Sequence, residues 1–217
     1  MLFKKYLALI LIILLCLGIT GMLFTISQYF LFSKTVGFLF FKQFIVNNDF
    51  WLTIFYIHVF TAIICMLAGI TQFSKTILKE HPKLHRVLGR IYFYNILFIN
   101  FPAGFILAIN ANGHLPAKIA FVLLDVLWLY FTVSAVFWIR RGNIIKHRKQ
   151  MIRSYALTLT ALTLRILKMV MLKYSGWGFD GIYVFDAWTA LIINLTAAEA
   201  IIYFSYHLWK RKLITIR

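Results

Sequence analysis

One short motif of histidine and arginine occurs twice in this chain. Each copy has a His-Arg pair, a further arginine and a tyrosine within a stretch of at most nine residues. The members are His85, Arg86, Arg90 and Tyr92 in the first copy, and His147, Arg148, Arg153 and Tyr155 in the second. Imidazole nitrogen is a metal ligand, whereas guanidinium forks bind carboxylate and phosphate. The motif therefore predicts either a bis-histidine haem site or an anion site.

The elements that carry the two motifs are predicted to lie in a membrane. The 217 residues are 62% hydrophobic and 13% charged, and the mean hydropathy is +0.85. A soluble domain is nearer half apolar. Several apolar runs reach the roughly 20 residues that a helix needs to cross a hydrocarbon core of about 30 Å. The predicted fold class is an all-α integral membrane protein.

Six apolar runs predict a six-helix bundle. The predicted helices are residues 7–26, 50–71, 91–110, 119–139, 151–172 and 183–208. The first is interpreted as an uncleaved membrane helix, and the aromatic segment 27–49 as a stretch at the outer membrane interface. Together they form residues 1–49, which precede a five-helix core of residues 50–217 that carries both motifs. Asp49 is expected to cap the second helix and Pro102 to kink the third.

Positive charge is concentrated in the loops on one side of the predicted bundle. With both termini in the cytoplasm, the cytoplasmic segments hold 17 Lys and Arg residues and the outer segments hold four. The positive-inside rule then predicts this orientation. The same distribution explains the net charge of +17 without a nucleic-acid partner. The two cysteines, Cys16 and Cys65, form no CxxC or CxxCH motif, so covalently attached haem and cysteine-rich metal sites are not supported.

The two motifs suggest an internal repeat. Predicted helices two and three form one hairpin, and helices four and five form another. His85 and His147 are 62 residues apart, which is close to the length of one hairpin unit. A parallel repeat about an axis along the membrane normal would place the two histidines opposite each other. Basic residues that anchor helix ends to lipid headgroups independently would give the same pattern.

The chain resembles the family of predicted bacterial membrane proteins called domain of unknown function 2306. The resemblance covers about residues 50 to 205. It rests on His58, residues 69–73 with Gln72, residues 81–92, residues 147–158 and Arg165. It implies a multi-pass protein of the bacterial inner membrane and supplies candidate positions, but the family has no assigned activity.

Several polar residues are predicted to lie inside the bilayer. His58, Asp125 and Arg165 are expected at one level of the outer half, and Glu199 near the middle. A charge at the bilayer centre costs about 3 kcal/mol, so we expect Asp125 and Arg165 to form an ion pair, either structural or functional. His58 can act as a haem ligand, a proton carrier or a packing residue.

Three functions follow from these residues. The first is a redox protein that uses haem b or a quinone, with His85 and His147 as axial ligands and His58 as the alternative ligand. The second is binding or transport of an anionic ligand or lipid headgroup by Arg86, Arg90, Arg148 and Arg153. The third is a structural or assembly subunit. Hydrolytic enzymes are poorly supported, because no GxSxG, HExxH or P-loop motif occurs.

Overall fold

The chain is helical throughout the part that the structure describes. The structure is a computed structural model that describes residues 17–214, with side chains to residue 205, and this part contains no strand. The helices are α1 (Leu17–Leu31), α2 (Asp49–Thr71), α3 (Lys75–Glu80), α4 (Pro82–Asn95), α5 (Phe101–Ile109), α6 (His114–Arg140), α7 (Ile144–Thr158), α8 (Thr160–Tyr174) and α9 (Phe179–Ile214).

Five segments are long and apolar enough to cross a membrane. They are α2, α4 with α5 as Pro82–Ile109, α6, α7 with α8 as Ile144–Tyr174, and Phe179–Ser205 of α9. The predicted all-α, multi-pass membrane protein is confirmed for the described residues. The predicted first helix, 7–26, and Cys16 lie partly or wholly outside them. Within the described part, α1 packs Met22 and Ile26 against α2 and the start of α8.

The bundle exposes many of its large apolar side chains and buries many small and polar ones. Phe98 is 67% exposed and Ile192 58%, whereas Ala135, Ala190 and Ser154 are 0% exposed. Lipid solvates the apolar exterior, and small residues let the helices approach closely. Polar side chains in such a bundle therefore meet one another in its interior, and this arrangement positions the candidate sites.

Both histidine motifs lie on helices rather than in loops. The structure corrects the predicted starts of the third and fifth helices, because α4 begins at Pro82 and α7 at Ile144. Proline costs no hydrogen bond in the first turn, and the Asn143 side chain accepts from the Lys146 backbone N–H at 3.0 Å. The prediction followed hydropathy alone, although Lys, Arg and Gln are good helix formers. Asn48 caps α2, so the predicted cap at Asp49 is wrong by one residue.

The helix that contains Pro102 has one widened turn. Ile96–Asn100 is π-helical and joins α4 to α5. Proline has no N–H for the carbonyl four residues earlier, and an extra residue in the preceding turn absorbs the mismatch. A π-turn places residues five apart next to each other, and Asn100 accordingly donates to the Asn95 side chain at 2.9 Å. The expected disturbance at Pro102 therefore has a local consequence for polar packing.

The aromatic segment before α2 packs partly into the bundle. Two of its turns are 3-10 helical, Gln28–Leu31 and Gly37–Lys42. Tyr29, Leu39 and Val46 are buried with Trp51 and Phe55 of α2 in one apolar cluster. The segment therefore covers the end of α2 as well as presenting exposed aromatic rings.

Lys42 is the most buried cation of this segment. It is 1% exposed, and its Nζ donates to the Asn110 carbonyl. Burial, and then the nearby charges of Lys118 and Lys168, lower the pKa of Lys42 from 10.5 to about 7. The folded protein therefore binds this proton more weakly than the unfolded chain does, and stability increases as the pH rises from about 7 toward 10.5.

A Lys42→Met variant is expected to lose this pH dependence. In detergent, the melting temperature of the wild-type protein should rise between pH 7 and pH 9, because the charged lysine opposes folding at the lower pH. The variant keeps the length of the side chain but has no proton to bind, so its melting temperature should change less over the same interval. Equal slopes for the two proteins would contradict the assignment. Lys34→Met, at a lysine of the same segment whose side chain is 43% exposed, is the control.

Candidate functional site

His85 and His147 lie near each other where α4 and α7 begin. We call the end of the bundle formed by residues 72–90 and 140–150 the motif end, and the end formed by residues 32–48, 110–113 and 175–178 the far end. The imidazole of His85 is close enough to that of His147 for their charges to interact. The guanidinium of Arg86 also lies within this range of His85. Histidines from two separate membrane segments therefore lie near each other.

The two imidazoles differ in their hydrogen bonds. Nδ1 of His147 lies 2.8 Å from the carbonyl oxygen of Ala135 on α6. Because a carbonyl only accepts, Nδ1 carries the proton and Nε2 keeps a free lone pair. Nδ1 of His85 is buried and has no partner among the described residues. The pair can therefore present nitrogen lone pairs to a metal, or exchange protons.

The four predicted arginines divide into two groups. Arg86, Arg90 and Arg148 are exposed, and none of them belongs to an ion pair of the described residues. Arg153 instead pairs with Glu199 of α9, through Nε at 2.5 Å and Nη2 at 2.9 Å. The predicted anion cluster is therefore reduced to three arginines, and Glu199, which was expected to be a separate polar residue, is the carboxylate that neutralises the fourth.

Above the histidines, four buried hydroxyl groups form a continuous line that we call the hydroxyl file. Its members in order are Thr132, Ser154, Tyr92 and Thr158. The successive oxygen–oxygen distances are 2.7, 2.8 and 2.8 Å. Trp128 donates its indole N–H to the last of these hydroxyls at 3.0 Å. The file joins α4, α6 and α7 one helical turn above the Ala135 carbonyl that binds His147.

The two motif tyrosines have different roles in packing. Tyr92 is the centre of the hydroxyl file, whereas Tyr155 donates from its hydroxyl to the Met66 carbonyl at 3.2 Å. The Tyr155 ring packs against Gly69 of α2. Gln72 reaches the first motif, because its Oε1 lies 2.9 Å from the position that a Cβ would take at Gly89. All three predicted residues thus contact a motif helix or the helix packed against it.

Tyr92 and Ser154 are 62 residues apart, the same separation as the two histidines. Each lies seven residues after its histidine, about 10 Å along a helix. Two residues at equivalent positions of the two motif helices, Tyr92 on α4 and Ser154 on α7, are therefore joined by a hydrogen bond.

A second polar group lies beyond the file, around the π-turn. Asn100 donates to Thr61 Oγ1 at 3.1 Å and lies 3.8 Å from Cys65 Sγ, while Asn95 donates to the Thr61 carbonyl at 2.9 Å. His58 lies one turn along α2, near the Asn100 backbone. Its Nδ1 and the Asn100 Oδ1 are buried without a partner in the described part of the chain.

The expected Asp125–Arg165 ion pair is not formed. The ion pairs within residues 17–205 do not include it, and Oδ2 of Asp125 is buried without a hydrogen-bond partner there. Asp125 instead packs against Gly104 of α5, and Arg165 donates to the Ala161 carbonyl of its own helix at 3.2 Å. Arg165 lies near His58, so two of the three residues predicted at one level do come together.

Sequence reasoning missed part of both polar groups. Trp128, Thr132, Asn95 and Asn100 hold the networks together and were not among the predicted site residues. Asparagine inside a long apolar run is a usable signal, because its amide needs partners in lipid. Trp128 and Thr132 give no such signal, because both residue types are common in membrane helices. Their hydrogen bonds to Thr158 and Ser154 form only because α6 packs on α7.

A family model for predicted membrane proteins matches residues 55–202, about two thirds of the chain. The chain belongs to the DUF2306 family. No curated protein and no solved structure matches it. The DUF2306 match includes both histidine motifs, the hydroxyl file, the π-turn and the Arg153–Glu199 ion pair. Its description is that of a predicted membrane protein and names no activity.

The donor set limits the cofactors that this DUF2306 chain can hold. No group of three or more His, Cys, Asp or Glu residues suited to a metal ion occurs in the described residues. A haem iron needs only two axial ligands, which His85 and His147 can supply. A further histidine, His114 at the start of α6, has its Nε2 3.6 Å from Oδ2 of Asp180. The residues at the motif end therefore offer the two axial ligands that one haem would need.

Proposed function

We propose that the chain is a redox protein of the membrane that holds one haem b between His85 and His147. The observation that carries the proposal is the hydrogen bond from His147 Nδ1 to the Ala135 carbonyl. Metal-bound histidines almost always donate their other ring nitrogen in this way, because the bond fixes the tautomer and aims the free nitrogen. The neighbouring His85 comes from a different membrane segment, which suits ligation from two sides.

The arginines of the two motifs support the same proposal. Arg86, Arg90 and Arg148 are exposed beside the histidines, and a haem carries two propionate carboxylates. Guanidinium forks bind carboxylates through paired hydrogen bonds. In this role the arginines bind the edge of the group while the histidines hold its iron. A bound haem supplies one-electron transfer, for which a membrane quinone is a partner dissolved in the same lipid.

We further infer that the motif end faces the cytoplasm of a bacterial inner membrane. The support is the excess of Lys and Arg in the segments that define this end, ten in residues 72–90 and 140–150 against two in the segments that define the far end. The hydrogen bond between Tyr92 and Ser154 at the repeat spacing supports two related hairpins that face each other. Protease access to a tag at the C-terminus of inside-out and right-side-out vesicles tests the orientation.

The absorption spectrum of the purified protein tests the haem proposal. Protein expressed with ample haem should show a Soret band that shifts on reduction with dithionite, and His85→Ala and His147→Ala should each remove it. His81→Ala, at an exposed histidine outside the pair, should leave it unchanged. A colourless wild-type protein would exclude haem, and a band that survives both substitutions would exclude these two ligands.

Anion binding by the same end of the bundle is the second candidate function. It is favoured by one observation, that Arg86, Arg90 and Arg148 lack carboxylate partners within the described residues. Phosphate or an anionic lipid headgroup would then take the place of the propionates. Colourless protein whose binding to phosphatidylglycerol vesicles falls severalfold in Arg90→Ala would support this function. Unchanged binding would exclude it.

A further inference from the structure

Buried polar groups continue from the motif end toward the far end. The hydroxyl file comes first, and in each of its three links either oxygen can be the donor. A line of hydroxyls with this property can pass a proton along by exchanging donor and acceptor roles. The file begins at Thr132, which lies one helical turn from Ala135 on α6.

The far half of the bundle holds polar atoms that nothing in the described chain satisfies. They include His58 Nδ1, Asn100 Oδ1, Asp125 Oδ2 and both carboxylate oxygens of Asp186. Lipid cannot bond to any of them, and each unsatisfied group costs free energy comparable to a lost hydrogen bond. Because the set includes atoms that only accept and a nitrogen that can donate, water is the small molecule that can satisfy all of them.

The two stretches meet at Cys65. Its Sγ lies 3.8 Å from Asn100 Nδ2, and its side chain packs in the same cluster as Tyr92. On the other side, His58 lies near Arg165, which is near Lys168, which in turn is near Asp186. The distance from His147 to Lys168 along α7 and α8 is about 30 Å, which is the thickness of a hydrocarbon core.

The far half holds acidic residues as well as cations. Asp186 lies near Lys168, and Asp125 is buried beside Gly104. His58 is suited to relay a proton because an imidazole accepts on one nitrogen and releases from the other. Chains of acidic and histidine side chains inside membrane helices are a recognised basis of proton relays.

We propose that the bundle conducts protons along this file of side chains and water, between Thr132 toward the motif end and Asp186 toward the far end. Tyr92 carries the proton in the motif half and His58 in the far half. The conduction needs no cofactor and is independent of the haem proposal.

Proton flux into vesicles tests the proposal. The purified protein is reconstituted into liposomes that contain pyranine, with potassium and valinomycin to balance charge, and the outside is acidified. The wild-type protein should acidify the interior at least tenfold faster than protein-free liposomes do. Tyr92→Phe and His58→Gln should reduce the rate to that of protein-free liposomes. If liposomes with the wild-type protein acidify no faster than protein-free liposomes, the proposal is overturned whatever the variants show.

Matched controls separate the relay from general damage. Thr53→Val removes a hydroxyl on the lipid-exposed side of α2, and His81→Gln removes an exposed imidazole; both should conduct as the wild type does. If Tyr92→Phe and His58→Gln conduct as fast as the wild type, and thermal melting shows both variants to be folded, the assigned path is wrong. The flux measurement uses no reductant and does not depend on haem. A colourless protein that conducts protons would therefore refute only the haem proposal. A coloured protein without proton flux would refute only the proposal of proton conduction.

Discussion

Gly69→Ala should destabilise the protein by about 2 kcal/mol, although only one methyl group is added. A Cβ at this position would lie 2.5 Å from two atoms of the Tyr155 ring and 3.0 Å from the Tyr92 ring. Neither ring can move away easily, because Tyr155 is held by its bond to the Met66 carbonyl and Tyr92 by the hydroxyl file. The added methyl group therefore forces α2 away from α4 and α7, which separates the networks they share.

The effect is measured by thermal or denaturant unfolding in detergent. Gly21→Ala is the matched control, since Gly21 is also helical and a Cβ there meets nothing within 4 Å. Its stability should stay the same or rise slightly, because alanine favours the helix. Equal stability of the two variants would show that α2 does not pack on the tyrosines as described.

The membrane fold could be predicted from sequence because it depends on local properties. Length and hydropathy of an apolar run decide whether it can span lipid, and they identify all five spans without reference to any partner. Hydropathy also explains why the predicted starts of α4 and α7 are too late. Hydropathy marks where a helix becomes apolar, whereas Pro82 and Asn143 mark where it begins.

The charge pairing could not be predicted in the same way. Arg165 and Asp125 were paired by estimated depth, and depth does not give the direction in which a side chain points. In the structure Asp125 faces Gly104 of α5, and Arg165 bonds to its own helix. Arg153 and Glu199 are 46 residues apart and meet only because α7 packs on α9. Contacts of this kind depend on helix rotation, which the small-residue stripes indicate only approximately.

The hydroxyl file shows what the repeated motif could and could not reveal. The motif identified Tyr92 and the helix that carries Ser154, and its spacing of 62 residues predicts that equivalent positions face each other. The tyrosines were matched to each other in the sequence, yet the residue opposite Tyr92 is a serine. Two tyrosines at one position would collide across the bundle, and a small hydroxyl leaves room for one ring. Steric fit across the helix contact thus decides which motif residue joins the network.

Tyr92→Leu should destabilise the protein by about 3 kcal/mol or more, the largest loss that we expect from a single polar group in the bundle. Tyr92 is 0% exposed, and its hydroxyl bonds to both Ser154 and Thr158. Leucine removes the ring volume and also leaves two buried hydroxyls short of a partner, in surroundings where no lipid atom can replace it.

Tyr92→Phe divides this loss into its two causes. Phenylalanine keeps the ring and removes only the hydroxyl, so Tyr92→Phe should lower the free energy of unfolding by about 1–2 kcal/mol. The further loss in Tyr92→Leu measures the cost of the cavity that the ring leaves. Tyr155→Phe should cost less than Tyr92→Phe, because its hydroxyl makes one longer bond, to the Met66 carbonyl at 3.2 Å. Tyr94→Phe, at a half-exposed ring of the same helix, should leave the melting temperature unchanged. Equal losses at residues 92, 94 and 155 would mean that the hydroxyl file does not hold α4 to α7.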